Sequence, residues 1–207
     1  ARLRVAQAFL DHIEAAGPAL DELRLLVEES PGHPEACAEL EKILRTDAFS
    51  TPVRLEALAL LRTNYRAADR PSDLVAALRT ALTFAEGPQR VALYREAGNR
   101  SAILGQDADA LEHYAALLHE EPTDADARRQ LRQVALRSDL HGAHVEALVR
   151  AADNAEPAQA AALLVEAAGL CKTRQGDSER AIDLFRRVVE LSEADAGMAL
   201  SAAHQLN

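Results

Sequence analysis

The chain has no tryptophan, and aromatic residues make up only 3% of its 207 residues. Its apolar content is nevertheless 48%, carried mostly by leucine and alanine. This composition favours helices over strands, because strands are enriched in aromatic and β-branched residues. The apolar content is also high enough to build a buried core. We therefore expect a folded, all-α protein with little or no β-sheet.

Positive charge is scarce as well. The chain has 33 acidic and 23 basic residues, for a formal net charge of −10, and its only lysines are Lys42 and Lys172. Affinity for nucleic acid comes largely from Lys and Arg displacing counterions along the phosphates, so we expect no nucleic-acid partner. The longest apolar stretches are interrupted by Gln or Glu, which argues against membrane insertion.

Cysteine is limited to Cys37 and Cys171, which lie far apart and form no C-x-x-C pair. This spacing indicates neither a zinc site nor a dense disulfide framework, and it fits a reduced, cytoplasmic setting. The preference for Arg over Lys and the high alanine content suggest a bacterial source. Because the chain starts at Ala1 and stops at Asn207 inside an apolar-periodic stretch, we expect it to be a segment of a longer protein.

Apolar residues recur at three- and four-residue spacings through nearly the whole chain, interrupted every 14 to 19 residues by Gly, Pro, Asp or Ser. This pattern predicts consecutive short helices without a linker. The predicted helices lie near 2–16, 18–30, 33–46, 52–68, 71–86, 88–104, 107–120, 124–138, 141–154, 157–175, 177–192 and 194–206.

Two passages of the chain repeat one another. Residues 91–124 align with residues 162–195 at a constant shift of 71, which is two units of about 35 residues. A second match relates residues 19–36 to 110–127 at a shift of 91, which is not a multiple of the repeat. We interpret this offset as an irregular helix near 33–46 that interrupts the alternation of first and second helices. An array of equal helical hairpins buries its apolar stripes by stacking on its neighbours.

The repeated residues have physical roles in such hairpins. We expect Ala110 and Ala181, with Gly98 and Gly169, to lie where two helices approach closely. Gly105 and Gly176 can adopt the left-handed conformation that ends one helix and turns into the next. Pro122 stops a helix because it lacks an amide donor. We expect Tyr114 and Phe185 to fill the space between successive hairpins.

The spacing of Tyr94, Gly98, Gly105, Ala110, Tyr114 and Pro122 resembles the 34-residue tetratricopeptide repeat (TPR). The second copy keeps Gly169, Gly176, Ala181 and Phe185, but has Val165 and Glu193 in place of the first aromatic residue and the proline. This resemblance implies one domain over 1–207, clearest in 88–122 and 159–193. It would be a right-handed superhelical solenoid of about six antiparallel helix pairs. An irregular helical bundle is the alternative.

In this family the first helix of each hairpin lines a concave groove. The matching positions here contain five Arg and three acidic residues. We therefore expect an acidic or carboxylate-bearing segment of a partner to bind there, because Arg forms two-pronged hydrogen bonds with carboxylates. An ordinary solvated face is the alternative. The candidate groove residues are Arg66, Arg95, Asn99, Ile103, Arg129, Gln133, Arg137, Glu166 and Arg174.

The resemblance implies a scaffold or adaptor that binds a partner protein or peptide. Two alternatives remain open, namely a self-assembling array of homo-oligomeric copies and a regulatory or sensor domain of a larger protein. Nothing in the sequence calls for catalysis, a cofactor or a metal. His141 and His144 lie near Asp139 without an evident third ligand, and Cys37 and Cys171 have the character of small buried side chains. Asp107-Ala-Asp109 and Asp124-Ala-Asp126 lack the rest of a calcium loop and resemble helix caps.

Overall fold

The computed structural model describes the backbone of residues 1–10 and 16–205, and the side chains of 1–10, 16–174 and 176–191. All the regular secondary structure in these residues is helical, which confirms the all-α class. The helices are α1 Arg2–Leu10, α2 Ala16–Glu29, α3 Pro34–Arg45, α4 Thr51–Ala67, α5 Pro71–Leu82, α6 Gly87–Ile103, α7 Asp107–Glu120, α8 Ala125–Arg137, α9 His141–Ala152, α10 Pro157–Leu170 and α11 Ser178–Gln205, with a π-helical turn at Cys171–Gln175. Within the described residues no helix has the length and apolarity that crossing a bilayer requires.

The chain divides into two compact units, Ala1–Arg100 and Ser101–Asn207. In the first unit α1 packs on α2, α3 on α4 and α4 on α5, while α2 also contacts α4 and α3 contacts α5. In the second unit α7 packs on α8 and α9, α9 on α10, and α10 on α11. Each unit is therefore built from stacked helical hairpins, and each has its own apolar cluster. That the whole chain acts as one domain stays a prediction.

The turn before each of the helices α3, α5, α7, α9 and α11, which we call second helices, contains one residue with a left-handed backbone. These residues are Gly32, Asp69, Gly105, Asp139 and Gly176, with φ between 52° and 80°. Glycine adopts this conformation freely, and aspartate is among the few other residues that tolerate it. Because the five turns recur every 34 to 37 residues, they mark equivalent positions along the chain.

Two details of the predicted helix order are corrected. The helix α3 follows the left-handed Gly32, as each later second helix follows its own left-handed residue, so it belongs to the regular alternation and does not interrupt it. The two helices predicted at 177–192 and 194–206 form the single helix α11. Ser192 and Glu193 separate them in the sequence pattern, but neither residue breaks a helix as Gly or Pro does.

The repeat residues differ in how they pack. Ala110 and Ala181 are buried, and so is Tyr114. The prediction that Phe185 fills the space between successive hairpins is wrong, because its side chain is 42% exposed while the neighbouring Leu184 is buried. No helix in the described part of the chain covers the Phe185 face of α11. The prediction that Gly169 lies where two helices approach closely is also wrong, since a Cβ atom there would meet nothing within 4 Å.

The remaining repeat positions lie at helix ends or inside α6. Gly98 is buried in α6. Helix α7 ends at Glu120, two residues before Pro122. Gly105 and Gly176, at φ 71° and 68°, occupy the turns that lead into α7 and α11.

Alanine substitutions at Gly169 and Gly176 should have opposite effects. Gly169 lies in helix α10 with free space at its Cβ position, so Gly169→Ala should raise the free energy of unfolding by about 0.5–1 kcal/mol by reducing unfolded-state entropy. Gly176 has φ 68°, so Gly176→Ala should lower it by about 1 kcal/mol through backbone strain. Urea unfolding of both variants checks this, and a loss of stability at Gly169 would contradict it.

Candidate functional site

Ion pairs between arginines and glutamates join first helices of successive hairpins. In the first unit Arg24 of α2 pairs with Glu56 of α4, and Arg62 and Arg66 of α4 pair with Glu96 of α6 at 2.7 and 2.6 Å. In the second unit Arg128 and Arg132 of α8 both pair with Glu166 of α10. The partners lie 30 to 38 residues apart, so the pairs follow the repeat.

The cleft between α8 and α10 is lined mainly by basic charge. It has a volume of about 420 Å³, and both helices contribute to its walls. Its charged lining consists of Arg128, Arg129, Arg132 and Asp124, a sum of +2 in a chain whose net charge is −10. The side chains of Arg129 and Arg132 are 62% and 51% exposed. We call this feature the α8–α10 cleft; its lining residues are Pro122, Thr123, Asp124, Ala125, Arg128, Arg129, Arg132, Gln159, Ala162 and Leu163.

The helix α8 presents its arginines as a consequence of its local sequence. Asp124 caps its N-terminus, where the carboxylate accepts hydrogen bonds of 2.9 Å from the backbone amides of Asp126 and Ala127. Leu131, Val134 and Ala135 are buried. The helical period therefore places Arg129 on the side away from these residues, and Arg128 and Arg132 at the edge of the buried face.

Glu166 is the acidic partner at the floor of this cluster. Its side chain is 13% exposed, and it accepts hydrogen bonds from Arg128 Nε at 2.6 Å and Arg132 Nε at 3.1 Å. Burial alone raises the pKa of Glu166, but the hydrogen bonds and charges of the two arginines more than offset it and leave the pKa below its ordinary value. One carboxylate thus holds two guanidinium groups in place, while the outer faces of these groups stay accessible.

A buried histidine lies behind the same cluster. His144 of α9 is 1% exposed, and its Nε2 atom has no hydrogen-bond partner among the described residues. The pKa of His144 is lowered to about 4, mainly by burial; the charges of Arg132, His141 and Arg128 also lower it, while Glu166 acts in the opposite direction. This buried imidazole is therefore neutral at pH 7.

The structure brings together few of the nine groove residues predicted from the sequence. Arg129 lines the α8–α10 cleft, and Glu166 lies beside it as the partner of Arg128 and Arg132. Ile103 is 77% exposed. Gln133, Asn99 and Arg174 are exposed, and Arg95 is half-buried.

Three of the predicted groove arginines pair with carboxylates of this chain, and one of them, Arg129, pairs with Asp126 on its own helix. Arg66 pairs with Glu96, and Arg137 donates to both carboxylate oxygens of Asp107, from Nε at 2.9 and 3.0 Å. Hydrogen bonds from Arg137 and then Ser138 lower the pKa of Asp107, so this carboxylate stays ionised. The expectation that all five groove arginines are open to a partner is corrected accordingly, because these three already pair with carboxylates.

Sequence reasoning missed Arg128 and Arg132. The family pattern assigned groove positions to their neighbours Asp126, Arg129 and Gln133, whereas the ion pairs with Glu166 depend on the side of α8 that faces α10. A signal was present, since an arginine about 34 residues before a glutamate recurs at Arg24 and Glu56 as well.

The first unit has a cleft of a different character between α2 and α4. It measures about 510 Å³, and its charged lining is Arg24, Glu28 and Glu56, a sum of −1. The rest of the lining includes Val27, Leu60 and other apolar or small side chains. This cleft therefore does not attract an acidic segment.

The two cysteines considered for nucleophilic chemistry do not line the described clefts. Cys37 and Cys171 are buried, and burial raises the pKa of both thiols, so neither is an activated nucleophile. Asn64 donates a hydrogen bond of 2.8 Å to Cys37 Sγ and accepts one of 2.6 Å from the Gly32 amide. Within the described residues, no three His, Cys, Asp or Glu side chains come close enough to hold a metal ion.

Comparison with known proteins gives structural matches only. No family model matches the chain, and no curated protein sequence matches it. A structure of MamA protein is 16% identical at a TM-score of 0.43, with 88% of this chain and 94% of that chain covered. A Podosopora anserina putative kinesin light chain with nearly identical TPR-like repeats is 18% identical at a TM-score of 0.38, with 94% of both chains covered. BtubC from P. vanneervenii is 14% identical at a TM-score of 0.38, with 92% of this chain and 93% of that chain covered.

At such low identities and TM-scores these matches carry no argument about function. The description of the fold rests on the observed geometry, in which hairpins with left-handed turns recur every 34 to 37 residues and alternate helices pack side by side. The fold is a TPR-like helical repeat.

Proposed function

We propose that this chain is a protein-interaction scaffold and that its α8–α10 cleft binds an extended acidic segment of a partner protein. The observation that carries the proposal is the charge of the cleft, where three arginines and one aspartate line a concave surface on an otherwise acidic chain. TPR-like repeats typically serve as docking surfaces without enzymatic activity.

The geometry of the arginines suits a carboxylate ligand. Glu166 positions Arg128 and Arg132 in advance, which reduces the entropy lost when a ligand binds. Guanidinium groups bind carboxylates through two parallel hydrogen bonds. Leu163, Ala162 and Pro122 supply an apolar wall for the aliphatic part of a Glu or Asp side chain.

Charge reversal in the cleft tests the proposal. The variant Arg129→Glu/Arg132→Glu should weaken binding of a fluorescent Glu- and Asp-rich peptide at least about tenfold, because two anchoring charges become repulsive. Fluorescence anisotropy at low and at moderate salt measures this, and the wild-type affinity should fall as salt rises.

The matched control is Arg45→Glu on α3. Arg45 is 63% exposed, like Arg129, and it also pairs with an acid on its own helix. The control should leave the peptide affinity unchanged. Equal losses in both variants, or no binding of the acidic peptide by the wild-type chain, would contradict an acidic segment in this cleft.

A further inference from the structure

Three positions are buried on each of the second helices α7 and α9. Counted from the left-handed turn residues, they are Leu111, Tyr114 and Leu118 on α7, with 5%, 1% and 0% exposure. On α9 the equivalents Val145, Leu148 and Ala152 are 0%, 0% and 5% exposed. On α5 the same count gives Val75 and Leu78, with 4% and 0% exposure, and the half-buried Leu82, whereas on α3 it gives Ala38, Glu41 and Arg45, which are not buried. On α7 and α9 the position set therefore belongs to the interface between stacked hairpins.

The same positions on α11 are open. Ile182, Phe185 and Val189 are 56%, 42% and 55% exposed, and within the described side chains nothing covers them. Their spacing of three and four residues aligns them on one face of the helix. We call these three residues the α11 stripe. It continues the helix-on-helix stacking surface, with large apolar side chains at positions that are buried on α7 and α9.

The charges around the stripe limit what can cover it. The stretch 178–191 contains three acidic residues, Glu179, Asp183 and Glu190, and three arginines, Arg180, Arg186 and Arg187. Asp183 and Arg186 are 69% and 65% exposed. A surface with balanced charge selects neither an acidic nor a basic partner, but a two-fold axis can place Asp183 of one copy near Arg186 of the other.

We propose that the α11 stripe is a self-association surface on which a second copy of the chain packs its own α11 about a two-fold axis. This proposal is independent of the α8–α10 cleft. Burial of Ile182, Phe185 and Val189 from both copies removes apolar surface from water, which drives association. The balance of charges within 178–191 avoids like-charge repulsion at the contact itself.

A head-to-tail contact fits the described surface less well. In the described part of α1 one large apolar side chain is exposed, Val5 at 43%, and the charged residues of this helix are Arg2 and Arg4. One exposed valine flanked by arginines does not match three apolar positions flanked by both signs of charge. Two copies of α11 do match, because the stripe of each copy can cover the stripe of the other.

Sedimentation equilibrium of the 207-residue chain tests the proposal, over protein concentrations from about 1 μM to about 1 mM. The wild type should show a monomer–dimer equilibrium. The variant Phe185→Glu/Val189→Glu should raise the dissociation constant of the dimer about 30-fold or more, because it places charges at the centre of the contact. Both side chains are exposed, so helicity by circular dichroism should not change.

The control is Leu25→Glu on α2, whose side chain is 40% exposed and therefore similar to Phe185. This variant should dimerise like the wild type. Three outcomes would overturn the proposal: a wild type that stays monomeric at about 1 mM, a dimer that the stripe variant does not weaken, and a mass that grows past the dimer as in an open head-to-tail chain.

Discussion

Replacing Leu148 by alanine is expected to lower the free energy of unfolding by about 2–5 kcal/mol, the range found for fully buried leucines. Leu148 lies on α9, is 0% exposed and belongs to the apolar cluster of the second unit. The substitution removes three carbon atoms from a site where α9 packs against α7 and α10. The loss combines the transfer of these atoms out of the core with the cavity that remains. Urea unfolding followed by circular dichroism measures it.

Phe185→Ala is the matched control, because Phe185 holds the equivalent position on α11 and is 42% exposed. Its larger side chain loses more atoms, yet the expected loss is below about 1.5 kcal/mol, since part of the ring is in water before and after unfolding. The comparison is made at low protein concentration so that association through the α11 stripe does not contribute. A larger loss at Phe185 than at Leu148 would contradict the burial pattern and the stacking order derived from it.

Acidification from pH 6.5 to about 4 is expected to remove roughly 3 kcal/mol of stability through His144 alone. The pKa of His144 is about 4 in the folded chain and about 6.5 when the chain is unfolded. Above pH 6.5 the imidazole is neutral in both states and has no effect. Between the two pKa values only the unfolded chain binds the proton, so stability falls with pH. Below about pH 4 both states are protonated and this contribution levels off.

Leucine at position 144 separates this effect from other titrations. His144→Leu keeps the site apolar, removes the proton acceptor, and should flatten the fall in stability between pH 6.5 and about 4.5. The carboxylates with lowered pKa values, Glu166 and Asp107, lose their contribution mainly below about pH 4.5, so their effect should remain in the variant. Unfolding free energies measured at half-unit pH steps provide the comparison. An unchanged pH profile in His144→Leu would show that His144 is not the titrating group.

The sequence alone supported much of the fold. The shift of 71 between residues 91–124 and 162–195 predicted equal hairpins, and the helices α6 to α10 begin and end within a few residues of their predicted bounds. The turns at Gly105 and Gly176 are left-handed, and Asp124 caps α8. These features are local, because a cap, a left-handed glycine or a helical period depends on residues within one or two turns.

The site was less accessible to sequence reasoning. The family pattern indicated Arg129 and Glu166 but also Arg66 and Arg137, which bind Glu96 and Asp107. It did not indicate Arg128 and Arg132, which line the α8–α10 cleft. The difference lies in partners about 30 to 38 residues away, whose distance from a given arginine depends on how two helices pack.

What the sequence determined by itself is the helical class, the repeat length and the chemistry of the turns, since each follows from the order of neighbouring residues. What only the tertiary structure decided is which equivalent residues are covered. Tyr114 and Phe185 occupy the same place in their repeats, yet one is 1% and the other 42% exposed. The reason is that burial in a stacked array is supplied by the next element, and a residue's own repeat holds no information about what packs on it.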